Sequence, residues 1–223
     1  MSAPARVSPL SDAQSARAAA WLELEAMRCV ERFTGEQASS LQTVAIGDLS
    51  HCRRTGLKGP GAAAALAGLG LTTPDRPNAW CRSGDSLVLR LGLTEYLVED
   101  ARGASAVERV SALPAASDVY PVPRFDAALL VSGPQAIELF RETCAIDIGA
   151  LSAARGDLAL TSMVGVGVTV AATPAGADAD ATVYRVWCDG TYGGYLWQTL
   201  CDVAADLGGG PVGAGLLLKH VGA

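Results

Sequence analysis

Residues 54–69 read RTGLKGPGAAAALAGL and residues 127–143 read AALLVSGPQAIELFRET. Each stretch opens on residues suited to a short strand, turns through Gly-Pro-x-Ala and continues as an apolar helical run. Pro near the first helical position and Gly in the turn are what a strand–turn–helix connection requires. The two strings, Gly59-Pro60-Gly61-Ala62 and Gly133-Pro134-Gln135-Ala136, are offset by 74 residues. Helices are predicted over Ala62 to Leu69 and Pro134 to Thr143. β-rich sequence follows each: Ser86 to Glu99 in the first copy, Met163 to Ala171 and Thr182 to Asp189 in the second. A further helix is predicted over Tyr192 to Leu207. A repeat of this period is too long for a solenoid unit, so the pattern predicts an α+β fold of two similar β-α-β-β modules in a pseudo-two-fold repeat.

Working outward, residues 43–113 form the first module and residues 114–223 the second, together one compact unit. Residues 1–42 are an added tail and helix. The segment Arg102 to Pro123, with Pro114, Pro121 and Pro123, is the expected crossover. Thr173 to Ala181 (TPAGADADA) reads as a solvated hairpin connection; it lacks the remaining ligand positions of a calcium loop. Met1 to Leu10 has no apolar periodicity and is expected to be a mobile tail. From Ser11 the string S-D-A-Q has the form of a capping box, with Gln14 at the position that reaches back. A helix is predicted from there to Phe33, with Ala18, Leu22, Ala26, Cys29 or Val30, and Phe33 as its apolar stripe. Trp21, Leu24 and Met27 fall outside that stripe among Arg17, Arg28, Glu31 and Arg32. Trp21 and Leu24 are therefore candidate contacts to a partner chain.

The 223 residues are 50% apolar and 18% charged, a globular composition. The longest apolar run, Ala62 to Leu71, is too short to span a bilayer, and the N-terminus lacks a basic segment followed by an apolar core, so a cytoplasmic protein without a membrane span is expected. A net charge of −6 with scattered basic residues argues against nucleic acid as a partner. The six cysteines, Cys29, Cys52, Cys81, Cys144, Cys188 and Cys201, show no C-x-x-C spacing and read as reduced, buried, small apolar side chains. His51 and Cys52 are adjacent; on a strand they point to opposite faces, so no metal site is expected.

The strings Asp48-Leu49-Ser50, Gly56-Leu57-Lys58-Gly59-Pro60-Gly61-Ala62, Pro77-Asn78 and Arg90-Leu91-Gly92 occur in this order, followed by Glu95-Tyr96-Leu97-Val98. Further on come Val131-Ser132-Gly133-Pro134-Gln135-Ala136, Cys144-Ala145-Ile146-Asp147 and Tyr195-Leu196-Trp197. From Asp48 to Gly208 the chain resembles the gamma subunit of heterotetrameric sarcosine oxidase, within the aminomethyltransferase fold of the glycine cleavage T-protein. The resemblance implies a folate-binding fold and a small subunit in a hetero-oligomer with larger flavoprotein subunits. It also implies that FAD, FMN, NAD and tetrahydrofolate belong to those partner subunits and that none is bound by this chain alone. Folate enzymes of this fold place an acid just after the first module's helix. Here that region, Thr73 to Asp85, offers only Asp75 and Asp85, neither in the expected pattern. The K-G-C-Y-x-G-Q-E string of a related branch is absent, so the resemblance carries the fold without catalytic residues, and a stand-alone tetrahydrofolate-dependent one-carbon transfer protein is the alternative.

From the residues themselves, the weak candidates for an anion or cofactor are Lys58, Gly59 and Gly133. There, helix N-termini present free amides; a tight turn explains the same glycines. Tyr195 and Trp197, entering the last helix, suit packing or a partner surface.

Overall fold

The computed structural model describes residues 6–176 and 178–221. In chain order the elements are β1 Arg6–Val7, α1 Ser11–Ser15, β2 Ala18–Leu24, β3 Met27–Phe33, β4 Ala45–Asp48, β5 Arg54–Lys58, α2 Ala62–Gly68, β6 Ala79–Ser83, β7 Ser86–Arg90 and β8 Glu95–Asp100. They continue as α3 Ala106–Ser111, β9 Tyr120–Pro123, β10 Ala127–Ser132, α4 Ala136–Thr143, β11 Leu158–Met163, β12 Val166–Ala175, β13 Asp178–Cys188, α5 Gly193–Asp206, β14 Gly210–Val212 and α6 Ala214–Val221. The fold is α+β, and the helices predicted after both Gly-Pro turns and at the start of α5 are present.

The chain divides into two units: residues 1–51, 126–154 and 159–223 form one, and residues 52–125 with 155–158 form the other. The second unit carries a five-stranded sheet in the order β6-β7-β8-β5-β9, and the first a six-stranded sheet in the order β11-β12-β13-β10-β4-β14. In each, a three-strand meander lies beside the strand that feeds the repeated turn: β5 pairs antiparallel with β8, and β10 with β13. The next strand outward also pairs antiparallel, β9 on β5 and β4 on β10. The repeat is thus real, but its boundaries are not those read from sequence. β4 precedes the first turn yet completes the sheet of the second; β9 precedes the second turn yet completes the sheet of the first. The expected boundaries at 43 and 114 fail because pairing partners are distant in the chain, and local pattern carries no information about which sheet a short strand joins.

Two glycines make this exchange possible. Gly59 has φ +119° and Gly133 φ +102°. A Cβ on Gly59 would lie 2.1 Å from the Asp118 carbonyl oxygen, and one on Gly133 2.4 Å from that of Thr43. Both backbone angle and space therefore demand glycine. The approaching carbonyls are used: Gly61 N–H donates to Asp118 O, and Gln135 N–H to Thr43 O, each at 2.9 Å.

The predicted helix from Ser11 to Phe33 is a correction. Only α1 is helical; β2 and β3 form a hairpin closed by Glu25 (φ 48°) and Ala26 (φ 59°), and β1 pairs parallel to β3, making a three-stranded sheet. The hairpin buries residues on both faces. Leu24, Met27 and Cys29 pack with Ala214, while Val30 and Phe33 join the main core of the unit. Apolar residues at both parities of a strand imitate the three-to-four spacing of a helix, and tertiary burial overrides propensity. The capping box is not formed, since α1 has no side-chain cap. Gln14 is buried and donates instead to the Asp48 carboxylate, which also accepts from the Ser8 hydroxyl and the Ser50 amide. Ser8 and Leu10 are buried, so the expected tail is folded from Arg6 onward; its first five residues lie outside the described residues. β12 and β13 extend through the expected 173–181 loop, with Thr173 buried; residue 177 is outside the described residues.

α4 and α5 cover the six-stranded sheet, with Phe140 edge-on to Tyr184 at 5.0 Å and Phe33 5.7 Å from Trp197. In the other unit Leu66 of α2, and Val107 and Val110 of α3, pack on Leu57, Val88, Tyr96 and Val98. We expect Gly133→Ala to cost about 2–4 kcal/mol in chemical denaturation, from the positive φ and the carbonyl it would strike. Gly167→Ala, on an exposed strand position with nothing within 4 Å, should change stability by less than about 0.5 kcal/mol.

Candidate functional site

The residues named for an anion site are all engaged within the fold. Lys58 Nζ lies 3.0 Å from the Glu95 carboxylate, its neighbour across β5 and β8. The amides two residues after Gly59 and Gly133 are already donating to Asp118 O and Thr43 O. The next amides, of Ala62 and Ala136, turn back on Gly59 O and Gly133 O at 3.0 Å. The Asp118 carboxylate sits against Gly61 at the start of α2, where negative charge is favoured. The geometry is that of a packed turn whose donors are taken by crossing backbone.

Asp75 and Asp85 are exposed. Asp75 offers its main-chain carbonyl to Arg90, at 2.9 Å, and Asp85 occupies the β6–β7 turn, its carbonyl accepting from Ala101 N–H. Neither carboxylate is held in a buried, oriented position suited to proton transfer. No group of three or more potential metal ligands occurs among the described residues.

The predicted interface residues separate. Leu24 (8% exposed) and Trp197 (4%) are core side chains of this chain, which corrects the expectation of a partner contact for Leu24 and, of the two readings of Trp197, leaves packing. The strand register turns Leu24 toward α6, and α5 buries Trp197 against Phe33. Tyr195 is 53% exposed, its hydroxyl donating to Val164 O at 3.2 Å. Trp21 is half-buried, with the Arg28 guanidinium stacked 4.1 Å above its ring. Arg6, Val7, Ser11 and Ser15 line a groove of about 260 Å³ with these two. The groove was not legible in sequence because its residues come from β1, α1, β2 and β3 and meet through the pairing of β1 and β2 on either side of β3.

Two charge clusters, one buried and one near the surface, also escaped the sequence reading. Arg54 and Glu99 face one another across β5 and β8 with Nε to Oε2 at 3.1 Å, their side chains 3% and 2% exposed. Next to them Asp100, also buried, accepts from the Ser86 hydroxyl at 2.8 Å and the Val107 amide at 3.0 Å. Asp157 is gripped by Arg76 and Arg155, each at 2.6 Å. These carboxylates are neutralised by guanidinium or hydrogen-bonded in place, which suits structural roles. The visible signal was charged residues at strand ends.

Comparison with known proteins finds no matching family model and no matching curated protein. Among solved structures, the glycine cleavage system aminomethyltransferase T from Bartonella henselae superposes with a TM-score of 0.70 at 12% identity, over 95% of this chain and 60% of that one. The fold is that of the aminomethyltransferases. Heterotetrameric sarcosine oxidase from Corynebacterium sp. U-96, in complex with pyrrole 2-carboxylate, matches with a TM-score of 0.61 at 17% identity, over 91% of this chain and 96% of the matched chain. This chain thus spans 60% of the length of the aminomethyltransferase, and it is nearly equal in length to the sarcosine oxidase chain.

All six cysteines are free thiols. Burial pushes Cys188 and Cys201 up to about 12, with Asp126 and Asp189 adding to the effect on Cys188; Arg17 opposes it and Asp202 adds to it at Cys201. At pH 8 their thiolate fraction is then about one in ten thousand. Ellman's reagent should leave both unmodified in the native chain at pH 8, and all six should react in guanidinium chloride. Glu99→Ala removes the carboxylate that faces the buried Arg54 guanidinium and should lower unfolding free energy by about 3–5 kcal/mol in a urea titration.

Proposed function

We propose that this chain is a small, gamma-like subunit of a heteromeric sarcosine oxidase or related secondary-amine oxidoreductase, non-catalytic itself and supporting assembly of the complex. The observation that carries the reading is the length match. The chain covers 96% of a sarcosine oxidase chain, against only 60% of the aminomethyltransferase that shares its fold more closely. Support also comes from the chemistry of the described residues. The carboxylates nearest the folate-enzyme acid position, Asp75 and Asp85, are exposed and unoriented, and the two helix-entry turns spend their first amides on crossing carbonyls.

In this reading FAD, FMN, NAD and tetrahydrofolate are held by larger flavoprotein subunits, and the complex works in the cytoplasm. No helix among the described residues is long and apolar enough to cross a membrane. The alternative is a stand-alone tetrahydrofolate-binding one-carbon transfer protein. It draws on the higher TM-score of the aminomethyltransferase and requires an acid that acts on the cofactor.

The test is purification of the chain from its native cells with mass spectrometry of its companions. Larger subunits carrying flavin and oxidising a secondary amine are expected, while the isolated chain is expected to be colourless and inactive. A stoichiometric flavin spectrum on the isolated chain would overturn the proposal. Asp75→Ala and Asp85→Ala are expected to change turnover of the complex by less than about threefold; a hundredfold loss with assembly intact would favour the one-carbon enzyme.

A further inference from the structure

Sheet edges attract foreign strands, because a row of unpaired N–H and C=O groups is a template for pairing. Nearly every edge in the described chain is guarded. β1 and β14 are only two and three residues long. β9 carries Pro121 and Pro123, opposite Leu57 and Thr55, and so lacks donors at both positions. β6 is covered where Trp80 N–H donates to Gly156 O and Ala79 bridges Asp157. β11 is covered where Ala145 N–H donates to Ser162 O and Cys144 bridges Met163.

β2 is different. It runs for seven residues, AAAWLEL, pairs only with β3 among the described residues, keeps a regular register from Trp21 to Leu24 after irregularities at Ala18–Trp21, and has no proline and a single charge. The two-residue turn at Glu25 and Ala26 makes Leu24 and Met27 the hydrogen-bonded closing pair, so Leu22 with Cys29 is the next such pair. The backbone groups of Trp21 and Glu23 therefore face away from β3, along the open edge.

The face beside this edge is built for a particular side chain. Glu23 stands directly across from Arg28 in the register, yet no ion pair joins them; the Arg28 guanidinium carbon lies 4.1 Å from the centre of the Trp21 ring instead. The ring contact restrains the guanidinium while Arg28 stays exposed, and a guanidinium so held can receive a carboxylate bidentately. The groove that Arg28 and Trp21 line has Arg6 on its wall and no acidic residue, a local positive site on a chain of net charge −6.

We propose that the open edge of β2 receives an extended, acid-bearing segment of a partner subunit, which adds to the N-terminal sheet as a fourth strand and pairs its carboxylate with Arg28. The partner is the larger subunit of the proposed complex, and to that extent the inference rests on that reading. Main-chain bonds at Trp21 and Glu23 supply affinity, and Arg28 with Trp21 supplies selectivity for the side chain between them.

The test compares backbone amide hydrogen exchange in the isolated full chain and in the complex purified from native cells. Exchange at Trp21 and Glu23 should slow about tenfold or more in the complex. Two variants, Glu23→Pro, which removes the outward donor as β9 does naturally, and Arg28→Glu, should lower the recovered companion about tenfold with circular dichroism unchanged. Flavin-bearing companions that both variants retain, with the two amides exchanging at the isolated rate, would overturn the docking site and leave the proposed function standing. Protection conferred by companions without flavin would uphold the docking site and overturn the function. Protection in a dimer of this chain alone would assign the edge to a second copy and overturn the partner. A chain that purifies alone with both amides exchanging freely overturns both.

Discussion

Two backbone crossings hold the architecture together. At each Gly-Pro turn a carbonyl from a segment close to the other repeat passes so near the glycine that a single Cβ would collide with it, Asp118 at Gly59 and Thr43 at Gly133. The turn that both glycines open with positive φ presents the amide two residues on, of Gly61 or Gln135, to that carbonyl, and the strand behind the crossing, β9 or β4, then pairs on the strand leading into the turn. The turn therefore connects strand to helix and also sets the register of a strand that is remote in sequence. A side chain at either glycine would separate the crossing backbone, leave a donor unpaired and release an edge.

The same crossings explain why the most attractive chemical feature of the sequence carries no chemistry. A Gly-rich entry to a helix invites an anion because its first amides lack partners. Here the partners are carbonyls of the chain itself, and Lys58 beside the first turn is paired with Glu95. The polar interior follows a similar rule. Arg54 and Glu99 meet across two strands, Asp100 is tied to a hydroxyl and an amide, and Asp157 lies between two arginines. Each buried charge has a neighbour that repays part of its desolvation, and each neighbour constrains strand register as well.

The hairpin of β2 and β3 shows where one-dimensional patterning misleads. Met27 and Cys29 face α6 while Val30 faces the main core, so both parities of the strand are apolar. The alternation that identifies a half-buried strand is thereby erased, and a three-to-four spacing remains. The turn adds to the ambiguity, because Glu25 and Ala26 adopt positive φ without the Asn or Gly that usually marks such a hairpin.

The sequence alone determined what depends on neighbours along the chain. Gly and Pro at the two turns, the helices that follow them, the long helix after Tyr192 and the burial of most cysteines all rest on local sterics and short-period patterning. The same local evidence placed Trp21 outside an apolar stripe, and the structure keeps it half-buried beside an open edge. Only the tertiary structure decided the rest: which sheet β4 and β9 join, that residues 18–33 are strands, that Leu24 and Trp197 belong to the core, and that Arg54 meets Glu99. Each of these depends on pairing between segments tens of residues apart. The free energy of such pairing comes from surface buried against a distant partner, and no local pattern encodes that partner's identity.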